Sequence, residues 1–169
     1  MSEDPPPSTP RPWPRRMIIV VLVLVILPVA FLASRSILSP TPAISKPVDG
    51  GLRGCPQSPN CVCSNAEDDE HHIEALRLRG DAETAMTRLR DVIQSFPRAK
   101  VVDADGTWMH AEFTTLVFRY VDDVEFLVDS DAGEIQVRSS SRTGYSDLGA
   151  NRSRVEAVRA AWDQFHESN

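Results

Sequence analysis

The sequence has little cysteine: 3 residues in 169, all between Cys55 and Cys63. That is too few for a small fold that replaces its core with disulfides. It has no basic excess either, with 18 Lys and Arg against 24 Asp and Glu and a formal net charge of −6. A nucleic-acid partner is not expected, because phosphate binding needs a basic face. There is no internal repeat, no Gly-rich phosphate loop, no serine-nucleophile elbow and no zinc-protease motif. No cofactor and no resident metal are expected. The apolar and charged fractions, 41% and 25%, are ordinary for a globular protein. The length leaves room for one domain with appendages.

What is present begins with residues 1–16, rich in proline and polar residues, which read as a disordered cytoplasmic tail. Met17 to Ala33 then runs MIIVVLVLVILPVAFLA without a charge. As a helix it would extend roughly 25 Å at about 1.5 Å per residue, just enough for a hydrocarbon core. Membrane helices tolerate a proline such as Pro28. Arg11, Arg15 and Arg16 precede the run, and Arg35 stands alone after it. By the positive-inside rule the N-terminus is cytoplasmic and the bulk of the chain lies outside. The expectation is a single-pass signal-anchor helix over 17–34 in the cell (inner) membrane, with the lipid bilayer as partner of Met17–Ala33. A cleaved signal peptide is the alternative, but Pro28 or Phe31 stands three positions before the candidate cuts, where a small residue is wanted. Residues 35–51 read as an extended Pro/Ser-punctuated linker. A periplasmic or otherwise extracytoplasmic domain is expected over 52–169.

Within that domain, Ile73 to Leu78 is a candidate strand. Asp81 to Phe96 is a helix, because Ala82, Ala85, Met86, Leu89, Val92, Ile93 and Phe96 recur at three and four. Asp81 is its N-cap and Pro97 its stop. Four strand-like segments follow. Ala99 to Asp103 forms a hairpin with Thr107 to Thr114 across Asp105-Gly106. Val117 to Asp129 is long, with a bend or turn expected at Asp122-Asp123. Glu134 to Ser140 is the last strand, and a final helix opens at Gly149-Ala150-Asn151 with Val155, Val158, Trp162 and Phe165 as its apolar stripe. This order predicts an α+β fold. It is a two-layer domain, an antiparallel sheet of about five strands with two helices on one face, preceded by one transmembrane helix.

Three phrases carry a resemblance: CPQSPNCVCS from Cys55, HAEFTTLVFRYVDDVEFLVD from His110 and VRSSSRTGYSDLGANRSRVEAVR from Val137. Together they resemble the family catalogued as "domain of unknown function 1499", found in bacteria and in plastid thylakoid-lumen proteins. The resemblance covers nearly all of Gly54 to Trp162 and implies an extracytoplasmic setting. It implies no activity, catalytic residues or cofactor. The family usually has Ser where this chain has Cys63, a departure that bears on the thiol pairing.

Three constellations are candidates for chemistry. In an oxidising compartment Cys55 and Cys61 are the natural disulfide, leaving Cys63 unpaired, buried or joined to another molecule. The alternatives are a redox thiol or a metal site from Cys61, Cys63, His71 and His72, a spacing that matches no common zinc pattern. The second constellation follows from strand alternation. Met109, Ala111, Phe113, Phe118, Tyr120, Val124, Phe126, Val128, Ile135 and Val137 point to the core. His110, Glu112, Arg119, Asp123, Glu125 and Arg138 then share the other face. That face is either a solvated set of cross-strand ion pairs or a polar binding groove. The third is the loop from Arg138 to Asp147, with Arg142, Tyr145, Asp147 and Asn151 beside a helix start. It either holds an anion or caps the helix.

The expected function is a membrane-tethered, non-enzymatic binding or assembly module for a small polar ligand, an envelope component or a protein partner. A hydrolase using His110, Glu112 and the Arg138–Arg142 loop is the alternative, and a thiol-redox or metal role comes third. Arg119 is expected to be structural, lying mid-strand between Phe118 and Tyr120, and Arg142 to be the ligand contact. An open His110–Glu112 pair in a deep pocket would favour the enzyme, and a flat, salt-bridged surface would favour binding.

Overall fold

The computed structural model of the chain describes residues 14–37, 42–47 and 50–167. Most of the expected tail, parts of the expected linker and the last two residues lie outside these. The described chain runs α1 (Arg15–Ile37), β1 (Cys61–Cys63), β2 (Leu76–Arg77), α2 (Ala82–Ser95), β3 (Ala99–Ala104), β4 (Trp108–Thr114), β5 (Val121–Asp129), β6 (Glu134–Ser141) and α3 (Ala150–Glu167).

The expectation of about five strands and a membrane-spanning helix is corrected. The sheet has 6 strands, and among the described residues no helix is long and apolar enough to cross a membrane. Helix α1 forms over the apolar run, opening on Arg15 and Arg16 with Pro28 inside it. The described apolar side chains from Met17 to Phe31 are exposed.

The sheet is antiparallel in the order β1-β6-β5-β4-β3, and β2 also pairs with β6. Strand β6 is therefore paired on both sides. Strand β5 runs along one of its edges, and two short strands share the other. Strand β1 was not expected: its residues carry turn-like prolines before them and a pair of cysteines within, and three residues are too few for a period. Strand β2 is shorter than the expected Ile73–Leu78. The expected bend at Asp122-Asp123 is absent, since both pair within β5. The break falls earlier, in the loop 115–120, where Tyr120 N–H donates to Thr115 Oγ1 at 2.9 Å. Phe118 and Tyr120 therefore leave the expected core register and sit half-buried in that loop.

Helix α2 is capped by Asp81, whose carboxylate accepts from Thr84 N–H at 2.9 Å. Its buried residues Ala85, Met86, Leu89, Val92 and Ile93 form one stripe. Asp105 closes the β3–β4 hairpin by accepting from the N–H groups of Thr107 and Trp108 at 2.9 and 3.0 Å. Gly133, at φ 69°, supplies the left-handed residue of the β5–β6 turn. Helices α2 and α3 pack on one sheet face, where Leu89, Ile93, Val155, Val158 and Trp162 meet Met109, Phe113, Val124, Phe126 and Val137. The opposite face carries a smaller apolar group of Leu52, Cys63, Trp108 and Leu127, with Ile44 against it. Within the segment read as an extended linker, Ile44 packs on this group and Lys46 pairs with Asp105 at 2.9 Å.

Candidate functional site

Alternation places one side chain in two along each strand on the face away from α2 and α3. The register sets these residues side by side. His110 lies opposite Glu125, Glu125 opposite Arg138, and Arg138 opposite Cys63. In the next row Glu112 lies opposite Asp123, Asp123 opposite Ser140, and Ser140 opposite Cys61. These rows form a charged patch that is enclosed rather than solvated. The side chains of Asp123 and Glu125 are 4% and 1% exposed.

Enclosed carboxylates need strong partners, because an unpaired buried charge is costly. Asp123 has them. Arg142 donates from Nε to Oδ2 at 2.9 Å and from Nη2 to Oδ1 at 2.7 Å, a bidentate fork. His110 Nε2 lies 2.7 Å from Asp123 Oδ1. Arg142 also pairs with Glu112. Glu125 accepts from Arg138 Nη1 at 3.1 Å and from Arg53 Nη2 at 3.4 Å. Burial alone would raise the Asp123 carboxyl, but the hydrogen bonds from Arg142 and His110 outweigh it and hold it below the ordinary carboxylate range. Asp123 in turn raises the Arg142 guanidinium against its own burial.

Above this network lies a cleft of about 320 Å³. Arg53, Arg138, Arg142, Ser140 and Ser141 line it, with Asp123 at its base and Pro42 and Ile44 from the N-terminal segment on one side. Arg142 donates through Nε and Nη2, and Arg138 through Nε and Nη1. Each guanidinium keeps one terminal nitrogen without a protein partner among the described residues. Arg53 is the accessible member, its side chain 55% exposed.

His110, Glu112, Glu125, Arg138 and Arg142 are thus brought together. The other candidates are not. Arg119 sits in the 115–120 loop with a left-handed φ of 58° and is exposed, so its expected place within a strand is corrected. Tyr145 is 76% exposed on another loop. Asp147 caps α3, accepting from Gly149 N–H at 3.0 Å and Asn151 N–H at 2.7 Å. Asn151 is buried between Ser139 Oγ, at 2.6 Å, and the carbonyl of Asn60, at 2.9 Å. Behind it Arg154 pairs with Asp122. Most of the Ser-rich loop is therefore a helix cap and its supports. Arg142, the expected ligand contact, has a side chain 8% exposed that pairs with Glu112 and Asp123 and also lines the cleft. Arg53 was missed because it lies before the periodic segments. Asp123 lies on the face that its parity with Glu125 predicts, within β5 rather than at a bend.

Cys55 and Cys61 form a disulfide, with Cα atoms 5.6 Å apart, and Cys63 is a buried free thiol. Its Sγ lies 2.6 Å from Asn65 Oδ1. Burial pushes this thiol up, away from the reactive thiolate. Of the residues named for the metal alternative, Cys61 is in the disulfide and both histidines have other partners. His71 Nδ1 is 2.7 Å from Asp68 Oδ1, and His72 Nδ1 is 3.1 Å from the Ala66 carbonyl. Among the described residues no group of three or more His, Cys, Asp or Glu could hold a metal ion.

The charged rows from β1 to β6 and the helix that follows occupy one continuous stretch of chain. Residues 51–162 match the family described as "Protein of unknown function (DUF1499)". The chain belongs to this family. No curated protein matches it. The DUF1499 match takes in Arg53, the disulfide loop, the charged sheet face and the Arg142 loop, and stops at Trp162 inside α3. Pro42 and Ile44, which border the cleft, precede it.

Proposed function

We propose that this DUF1499 protein is a binding module whose ligand carries a carboxylate or phosphate group seated in the Arg53–Arg138–Arg142 cleft. The observation that carries this reading is the arrangement of three guanidinium groups around one cleft, two of them fixed from below by buried carboxylates. Pre-organised guanidiniums lose little entropy on binding and match the geometry of oxyanions. Ser140 and Ser141 supply hydroxyls beside them. The hydrolase alternative is disfavoured by His110, which is 3% exposed and committed through Nε2 to Asp123. Among the described residues no hydroxyl or thiol is hydrogen-bonded to it as a nucleophile would be. The disulfide supports an oxidising, extracytoplasmic compartment.

Calorimetric titration with citrate and inorganic phosphate tests the proposal. Wild type is expected to bind at least one of these anions, and Arg53→Ala to bind it about tenfold or more weakly, as loss of a charge-assisted pair implies. Arg53→Lys should recover only part of the affinity, because a single ammonium cannot make a fork. Equal binding by wild type and Arg53→Ala, or none by wild type, contradicts the proposal.

A further inference from the structure

Loops 115–120 and 142–149 meet at the end of the sheet where β4 and β6 finish. Among the described residues outside α1, five large apolar side chains are exposed, and four are on these two loops. Leu116 is 69% exposed, Val117 66%, Tyr145 76% and Leu148 96%. Leu148 also has a left-handed φ of 55°, a conformation that a leucine adopts at a cost and that no packing here repays. Scattered apolar residues on a surface need no explanation, but a cluster on adjacent loop tips does.

Two exposed cations stand beside this cluster. Arg98 and Arg119 are exposed beside it. The carboxylates nearby are withdrawn: Asp122 is buried against Arg154, and Asp147 is taken up by the α3 cap. The far end of the sheet is the reverse, with Asp103, Asp105, Asp131 and Glu134 exposed against Lys46 and Arg77. The chain also enters at the apolar end. Pro42 and Ile44, which follow α1 in the chain, border the cleft beside Ser141 and Arg142.

We propose that this loop end is a lipid-docking surface. Leu116, Val117 and Leu148 enter the acyl boundary of a bilayer carrying anionic lipid, and Tyr145 lies at headgroup depth. Arg98 and Arg119 face the lipid phosphates, and the acidic end points away. The chemistry is that of interfacial binding, in which apolar burial adds to attraction for an anionic surface. It is independent of the anion cleft.

The test uses the full chain labelled with a fluorophore at one introduced cysteine, either Leu148→Cys at the loop end or Ala132→Cys at the acidic end. Each is mixed with vesicles of phosphatidylcholine and phosphatidylglycerol bearing brominated acyl chains. Cys63 is buried and does not compete for label. Quenching is expected at 148 and not at 132, although both labels sit on the same chain with the same α1. Adding Arg98→Glu and Arg119→Glu should lift the 148 label out of the quencher's reach. Equal quenching at both positions, or none at 148, overturns the proposal. So does a 148 label already shielded without vesicles, which would give the surface to a second copy of the chain. Failure here leaves citrate binding at Arg53 intact, so the two proposals fall separately.

Discussion

Neighbouring residues of β5 enter two different interiors. Phe126, fully buried, packs under the helices in the company of Trp162 and Ile93. Glu125, 1% exposed, faces the other way and meets Arg138 and Arg53. The helix-covered side is apolar and non-directional, so its stability is spread over many contacts and yields gradually to changes in volume. The other side is a set of charges whose burial is tolerated only while every partner is present. Equal enclosure therefore means different fragility. The charged face cannot lose one member cheaply, and this also holds Arg138 and Arg142 in fixed positions at the cleft.

Removing one arginine strains that comparison most. Arg142→Ala leaves Asp123 enclosed without its fork and Glu112 without its partner, so unfolding free energy should fall by about 3–5 kcal/mol. Chemical denaturation would read it. On the apolar side, the volume-conserving Leu89→Met should cost less than about 1.5 kcal/mol. A smaller loss for Arg142→Ala than for Leu89→Met would reverse the ranking of the two faces.

Acid acts on the same point. Asp123 is held below its unfolded value, so its contribution is present above about pH 4, the unfolded carboxylate range, and is lost as pH falls through the folded value. Denaturation midpoints of wild type and Asp123→Asn should therefore converge on acidification below about pH 4. Parallel curves would remove Asp123 from the acid response.

The disulfide should matter less than the charge network. It closes a short loop, and Cys55→Ser should cost about 2 kcal/mol by the chain-entropy relation. The variant should still show Cys63 unreactive to alkylation until the chain unfolds. Early labelling of Cys63 would mean that the bridge also seals the charged face. The smallest effect is expected at Arg119. Exposed on its loop, it should change stability by no more than about 0.5 kcal/mol on replacement by alanine. A larger loss would bring that loop into the core account.

This last expectation reverses what the sequence suggests, and the reason is physical. Phe118-Arg119-Tyr120 alternates like a strand, but the left-handed backbone at Arg119 breaks the run and starts β5 at Val121. Periodicity located α2, the β3–β4 hairpin and the inward register of Met109, Phe113, Phe126 and Val137, because burial on one face imposes a repeat. It also gave His110, Glu112, Glu125 and Arg138 a common face. It could not locate β1 or Arg53, which lie where short segments are held by pairing with distant β6 or Glu125. Nor could it tell an enclosed ion-pair face from a solvated one, since enclosure comes from the chain around Ile44 and Leu52 folding over the sheet.

The central claim is that Arg142 and Asp123 form one buried unit on which the charged face depends. A double-mutant cycle with Arg142→Ala, Asp123→Ala and both together measures it directly. If the unit exists, the double variant should lose less stability than the two single losses combined, by about 1.5–3 kcal/mol, because it leaves neither of these two charges buried without the other. Losses that add to within about 0.5 kcal/mol would show the two residues to be independent and would contradict the account.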